Sequence, residues 1–496
     1  MSFLRQFFAV QPVNTAPPGG GERLKRALGP LALTAIGLGA TIGTGIFALT
    51  GTVAAEHSGP ALTLSLLIAM IPCTFAALCY CEFASFLPVS GSAYSYAYAT
   101  IGEGLAWFIG WNLTLEYLLS ASAVAVSWSA YVTNWLGDLG IHFPAQFINA
   151  PFTKTPDGGV GLSGAIINVP AILIVAVMSW VCYVGIRQSA GANTFMVMLK
   201  CGIIVVFVIA GLSFIDTSNW HPYIPQNTGT FGQFGWSGVL QGAGIMVFSY
   251  IGFDTASTTA LEARRPQRDV PLGILGALFI SGVLYMAMAA VMTGMVSYTK
   301  LDVEAPVAVA LDAHPQLAAF GLGFLVKIGA IIGMTSVILM SLLGQPRIML
   351  AMADDGLLPK SLQKCHPKYK TPHVATAITG VIAAIFAGIA PLDILGELIS
   401  IGILLAFTVV CLGVLVLRYT RPDTPRPFRV PWAPVTCGLG AIMCVVLMIF
   451  LGWPTWVRLF WWTLLGFAIY GFYGYWNSRL RTENTASANR AAEPGA

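Results

Sequence analysis

Twelve apolar stretches, each about long enough to cross a bilayer, follow one another along this chain. That repetition constrains the fold more than any other feature. A hydrocarbon core of about 30 Å takes about 20 apolar residues of helix. Runs of this kind fall at 30–51, 60–83, 104–136, 165–186, 193–214, 237–259, 272–296, 318–352, 373–391, 393–418, 434–453 and 457–477. The eighth is longer than one span, so part of it is expected to project beyond the hydrocarbon. The ninth and tenth meet at Ala390-Pro391-Leu392, a very tight turn. Of 496 residues, 56% are hydrophobic and 9% charged, against roughly a quarter charged in a soluble domain. The excess apolar surface has to face lipid, where only structures that close their own backbone hydrogen bonds survive. The expected class is an all-α membrane protein, and the gaps between runs are too short for a soluble domain.

The basic residues set the orientation. With the N-terminus inside, twenty of the 25 Lys and Arg fall in cytoplasmic segments, while Lys154, Lys300 and Arg458 fall outside and Lys200 and Lys327 lie in spans. That asymmetry follows the positive-inside rule. It predicts an even number of spans in the cell membrane, with 1–29 and 478–496 as cytoplasmic tails. The net charge of +4 therefore reports topology and not nucleic-acid binding. Met1 to Val10 is too short an apolar patch for a signal peptide, and polar residues follow it, so entry by the chain's own helices is expected. The nine cysteines lie mostly inside apolar runs, and Cys79 and Cys81 lack the spacing of a zinc or redox pair. Six histidines stand apart, and there is no nucleophile elbow or P-loop. No catalytic residue, metal or cofactor is assigned.

Two runs are interrupted in a way that an anchor would not need. The first, LTAIGLGATIGTGIFALTG (33–51), carries glycines at 37, 39, 43, 45 and 51; the sixth, QGAGIMVFSYIGFDTASTTALE (241–262), has Gly252 and Asp254 in mid-run. Clustered glycines make local unwinding cheap. The freed backbone groups then survive only if buried in protein or lining a ligand site. A helix N-terminus at such a break offers N–H groups to a carboxylate. Runs one and six are corresponding members of two five-helix halves, and paired interruptions point to an inverted-repeat transporter with its site near the midplane.

At these residues the chain resembles a known family. GATIGTGIF (39–47) resembles the first-helix signature of the amino acid–polyamine–organocation superfamily. SYIGFDTAST (249–258) and RRPQRDVPLGI (264–274) are similar to the sixth helix and following loop of its cationic amino acid transporter branch. GWNLTLEYLL (110–119), GAIIGMTSV (329–337), GQPRIMLAMADDGLLP (344–359) and RPFRVPWAP (426–434) match in order, so the likeness runs from about 23 to 478. It implies a leucine-transporter-like fold with inverted repeats at 30–214 and 237–418 and two further helices within 434–477. It also implies that the backbone around Gly43, Thr44 and Gly45 meets a substrate carboxylate, and that carbonyls of Thr41, Phe248, Ser249 and Ile251 meet its ammonium. Thr41 stands where many relatives carry Ile, adding a hydroxyl near that ammonium. Ile403 stands where relatives often have Thr, which puts a polar contact there in doubt.

Ionisable groups inside spans are functional candidates by default. Glu116, Lys200, Asp254 and Lys327 are of this kind. Lys327 lies near a helix end and is expected to snorkel. Glu116 is read either as an acceptor between helices or as a coupling group, and Asp254 as a brace for the unwound backbone or a proton carrier. Lys200 has apolar neighbours on both sides. The resemblance puts its ammonium where related carriers hold sodium, beside the broken first helix and Thr335 and Ser336 of the eighth. The expected function is therefore a proton-coupled, sodium-independent amino acid permease. Met334, which the resemblance turns toward the pocket, would fill the space an arginine side chain needs and so favours small neutral amino acids. The alternatives are a cationic amino acid transporter or exchanger, and a non-transporting receptor.

Overall fold

The computed structural model describes residues 6–10, 28–86, 92–155, 159–185, 190–258, 263–319, 321–369 and 371–482. The chain is mostly helix, as a lipid-facing backbone requires. In order the helices are α1 (Pro30–Thr41), α2 (Thr50–Val53), α3 (Leu62–Phe86), α4 (Ser92–Thr100), α5 (Glu103–Asp138), α6 (Val169–Val184), α7 (Ala190–Gly211), α8 (Gly235–Met246), α9 (Thr255–Thr258), α10 (Pro266–Met295), α11 (Pro306–Asp312), α12 (Pro315–Ala319), α13 (Leu322–Asp354), α14 (His373–Ile389), α15 (Leu392–Thr420), α16 (Ala433–Phe450), α17 (Trp453–Ile469) and α18 (Tyr475–Asn477). A two-stranded antiparallel hairpin, β1 (Phe152–Lys154) and β2 (Val160–Leu162), lies between α5 and α6.

Among the described residues, eight helical stretches are long and apolar enough to cross a membrane, and α1, α6 and α14 are shorter apolar helices. One of the eight, Gly45–Phe86, turns at Gly59-Pro60, where Gly59 takes φ +58°, and so holds parts of two apolar runs. The eighth run does outgrow a bilayer: α13 has 33 residues, about 50 Å of helix. The turn between α14 and α15 is as tight as the sequence suggests. Three elements were not legible as structure: the hairpin, the pair α11 and α12, and α4, whose Tyr94, Tyr96 and Tyr98 are all buried.

Helix packing follows a pattern. The pairs α3 with α10, α5 with α13 and α6 with α14 are in extensive contact; so are α1 with α10 and α3 with α8, and α7 with α13 and α5 with α15. The loops separate onto two faces. On one, Gln6 Nε2 donates to Ser478 Oγ at 3.1 Å and to Glu103 Oε2 at 2.8 Å, Leu28 bridges Ala263, and Arg479 N donates to Asp355 O at 3.0 Å. The described ends of the chain thus meet on one face, the tail face. The opposite, hairpin face carries the contacts of Phe234 N with His57 O at 2.9 Å and Asn168 N with Gly388 O at 3.0 Å.

Lys327 departs from expectation. It does not snorkel: it is 1% exposed, and its ammonium lies 2.7 Å from Asp138 and 2.8 Å from Asp312. The packing of α11 and α5 around the start of α13 covers the lysine and supplies two carboxylates that the local sequence does not reveal.

Candidate functional site at two interlocked helix breaks

The first break follows from the loss of helical geometry at Ile42 (φ −77°, ψ +99°), which ends α1. The chain resumes as a π-helical turn over Gly45–Leu49 and continues through α2 to a second π segment, Ala54–Ser58. This is the outer segment of the first helix, running toward the hairpin face. Thr44 and Gly45 open it, and N–H groups in a first turn have no carbonyl one turn earlier to bond. The second break follows a 3₁₀ turn, Val247–Tyr250, and passes through extended Ile251 (φ −59°, ψ +147°) before α9. Gly252 there takes φ +108°, a conformation that L side chains rarely tolerate.

The two breaks interlock. A methyl group on Gly45 would lie 2.5 Å from Ser249 Cα, and one on Gly252 would lie 2.6 Å from the Ala40 carbonyl carbon. Each break therefore needs a glycine where the other passes. Ser249 is 1% exposed, and among the described residues its hydroxyl has no hydrogen-bond partner. A buried hydroxyl left unpaired is costly and calls for an explanation. On the tail-face side of the crossing, a cavity of about 350 Å³, counted to its mouth, is lined by Ala40, Glu116, Tyr117, Ser120, Ile251, Gly252, Thr255, Val337, Met340 and Ser341.

Several freed backbone groups already have protein partners. Tyr285 donates its hydroxyl to Thr41 O at 2.9 Å, and Tyr131 to Phe47 O at 2.7 Å. Phe248 O accepts from Ile251 N at 3.2 Å. The Thr41 hydroxyl donates back to Gly37 O at 2.8 Å, so only its lone pairs can face the site. Met334 is fully buried, and the Thr44 hydroxyl approaches its sulfur at 4.0 Å. Ile403 is buried and brings no polar atom.

Lys200 extends from α7 into the first break. It is 1% exposed, and its ammonium donates to Gly39 O at 2.8 Å and Ile42 O at 3.1 Å. These are acceptors that an unbroken α1 would use internally. The arrangement corrects one expectation. The Thr335 hydroxyl donates to Ile331 O at 2.8 Å and accepts from Trp128 Nε1 at 2.9 Å, while Ser336 donates to Gly333 O at 3.0 Å. Neither holds Lys200; in α13 it is Gly333 that lies against the lysine stem. Ser and Thr in a helix donate readily to a carbonyl about one turn back, and among the described residues the ammonium bonds the two carbonyls and neither hydroxyl.

Glu116 lines the cavity, and Asp254 is 5% exposed at the second break, where its carbonyl accepts from Ser257 N at 2.8 Å. The wall of the cavity therefore includes an acidic residue. Tyr285, Tyr131 and Trp128 were missed from sequence. Tyr285 is the one polar-tipped aromatic in the run 272–296, but Trp128 and Tyr131 are two of six in 104–136, so nothing local singled them out.

The pattern that defines the family described as "Amino acid permease" matches residues 28–472. The chain is 42% identical over 466 residues to the branched-chain amino acid permease BcaP of Bacillus subtilis, covering 94% of this chain and 96% of that protein. It is 40% identical over 478 residues to the methylthioribose transporter of the same organism, covering 96% and 100%. It is 38% identical over 416 residues to the vacuolar cationic amino acid transporter 4 of Arabidopsis thaliana, covering 84% and 67%. With the paired breaks, the cavity beside them and this likeness along nearly its whole length, the chain belongs to the amino acid permease family of the amino acid–polyamine–organocation superfamily.

Proposed function

We propose that this permease is a secondary active transporter of twelve spans with the leucine-transporter-like fold, moving amino acids by alternating access. The observation that carries the reading is the interlocked pair of breaks at Gly45–Ser249 and Gly252–Ala40, beside a cavity. The packing pattern supports the inverted repeat: helices two, three and four of one half (α3, α5, α6) lie against their counterparts (α10, α13, α14), and cross-pairs recur in both halves. The tail face is assigned to the cytoplasm of the cell membrane by its excess of Lys and Arg.

In this reading the Thr44 and Gly45 N–H groups, with Gly43 before them, receive the substrate carboxylate, and the Ser249 hydroxyl gains the partner it lacks. Carbonyls at Thr41, Phe248, Ser249 and Ile251 face the ammonium. The Lys200 ammonium on the Gly39 and Ile42 carbonyls leaves no place for sodium there, and its protonation couples transport to the proton. Met334 limits side-chain size, which favours small neutral amino acids, in keeping with the branched-chain substrate named for the first relative. A second reading, transport of cationic amino acids, is favoured by Glu116 in the cavity wall.

Proteoliposomes containing the purified protein test this, with each of the twenty amino acids and a proton gradient imposed or collapsed. Gradient-driven accumulation of neutral amino acids without sodium is expected. Arginine displacing alanine at equal concentration would select the second reading. Binding without flux would make the protein a receptor.

A further inference from the structure

The hairpin face holds a cluster of charges that the substrate site does not use. Lys154 is the last residue of β1, opposite Val160 of β2. Its side chain is only 16% exposed because it reaches inward, and its ammonium lies 2.8 Å from Glu397 Oε1 and 4.0 Å from Glu56 Oε2. Glu397, on α15, is held rigidly: its other oxygen accepts from Thr455 Oγ1 at 2.9 Å and from Arg458 of α17 at 3.0 Å. Glu56 is different. It belongs to the second π segment of the outer part of helix one, and its side chain is 38% exposed. One end of the bridge is therefore a fixed pillar and the other a partly buried carboxylate on a segment whose two π turns mark irregular helix.

Beneath the lysine lies a small, nearly closed pocket, with Leu49, Thr52, Val53, Ile245 and Asp393 among its walls. A methyl group on Gly396 would lie 3.0 Å from Leu49, so the outer segment rests directly on α15. The segment descending from Glu56 begins at Gly45, the residue that touches Ser249. Whatever swings this segment away from α15 opens the cavity toward the breaks. Desolvating a lysine to form such a bridge is a poor way to gain stability, whereas it fixes the relative position of two elements well. Burial alone would lower the Lys154 pKa; the charge and hydrogen bond of Glu397, with Glu56 and Asp393, outweigh it and raise it. The ammonium thus stays charged at neutral pH.

We propose that Lys154 is a positioning residue that latches the outer segment of helix one onto the α15–α17 pillar, closing the route from the hairpin face to the substrate site. Release occurs at the Glu56 end, where the contact is long and half-exposed, while the hairpin stays tethered to Glu397.

The test measures access directly. Ile245→Cys places a thiol in the cavity wall, in a protein whose Cys201 and Cys365 are first changed to Ser, since the remaining described cysteines are buried. The purified protein is treated with a charged thiol reagent. Lys154→Gln is expected to speed labelling by about fivefold, and Glu56→Gln to do the same. Lys154→Arg, which can still bridge both carboxylates, should label at the parent rate. An unchanged rate in Lys154→Gln, or equal rates for the Gln and Arg variants, overturns the latch. If Lys154→Gln does not fold, Glu56→Gln decides alone, because it leaves Lys154 bound to Glu397. The latch matters to transport only if the transporter reading holds, but labelling needs no flux. Latch-dependent labelling without uptake would refute transport alone, and latch-independent labelling with uptake would refute the latch alone.

Discussion

Gly45 and Ser249 pass so closely that a methyl group on the glycine would sit 2.5 Å from both the Cα and the hydroxyl of the serine. The first side chain beyond hydrogen is therefore excluded at the point where the two broken helices cross.

Gly45→Ala is expected to force the breaks apart, costing about 1–3 kcal/mol as other overpacked sites do. Loss of binding should come with a lowered melting temperature, whereas a blocked carboxylate site alone would leave the melt unchanged. Gly43→Ala should be milder, since the nearest atoms to its methyl would belong to the Val337 side chain, at 3.2 Å and beyond.

Ser249→Ala separates stability from binding. The hydroxyl has no partner among the described residues, so removing it should leave the melting temperature equal or higher, a buried unsatisfied group costing about 1–3 kcal/mol. Substrate affinity should fall by about tenfold if the hydroxyl bonds substrate. Unchanged affinity in a binding titration would remove Ser249 from the site.

Lys200→Met deletes two charge-assisted hydrogen bonds and leaves the Gly39 and Ile42 carbonyls without that donor. A loss of about 2 kcal/mol or more is expected in denaturation. In proteoliposomes the variant should ignore an inward proton gradient that drives the wild type. Sodium-dependent uptake in either protein would refute the proposed coupling.

Met334→Ser shortens a fully buried side chain whose sulfur meets Thr44. The space released should admit larger substrates, so arginine should begin to compete with alanine in uptake. Competition by arginine in the wild type would show that Met334 is not the size limit.

Glu304 lies in the loop before α11 on the hairpin face. Burial first, and the Asp393 charge second, push its carboxyl pKa up to about 8, from an ordinary 4.5. The folded protein then holds a proton that the unfolded chain has released. Its stabilising contribution is full below about pH 4.5 and is lost as pH rises through about 8. Melting temperatures in detergent should fall across that window, and Glu304→Gln should flatten the decline. An identical slope in the variant would show that the carboxyl titrates normally.

The two breaks were legible because their cause is local: glycine clusters in 33–51 and an acid with glycine at 252–254 are visible within one turn or two of sequence. Long apolar helices were legible for the same reason, eight stretches among the described residues being long enough to cross a membrane, since apolar length is a property of the segment itself. Lys200 stood out by its apolar neighbours, but its acceptors lie 158 and 161 residues away, and no local rule names them. Lys154 could be read only as an external charge, because Glu397 and Glu56 reach it from separate helices. Lys327 was misread outright: position near a helix end suggested escape to water, and the tertiary packing of α5 and α11 gave it two carboxylates instead. Thr335 and Ser336 donate to carbonyls of their own helix, and among the described residues neither bonds Lys200, a matter of helix placement that no local rule gives. Sequence by itself determined that the chain is helical, lipid-embedded and broken in two places, because propensity and hydropathy act over a few residues. Only the tertiary structure decided what each break touches and which charges are paired, because contacts between distant helices depend on how close their backbones can come.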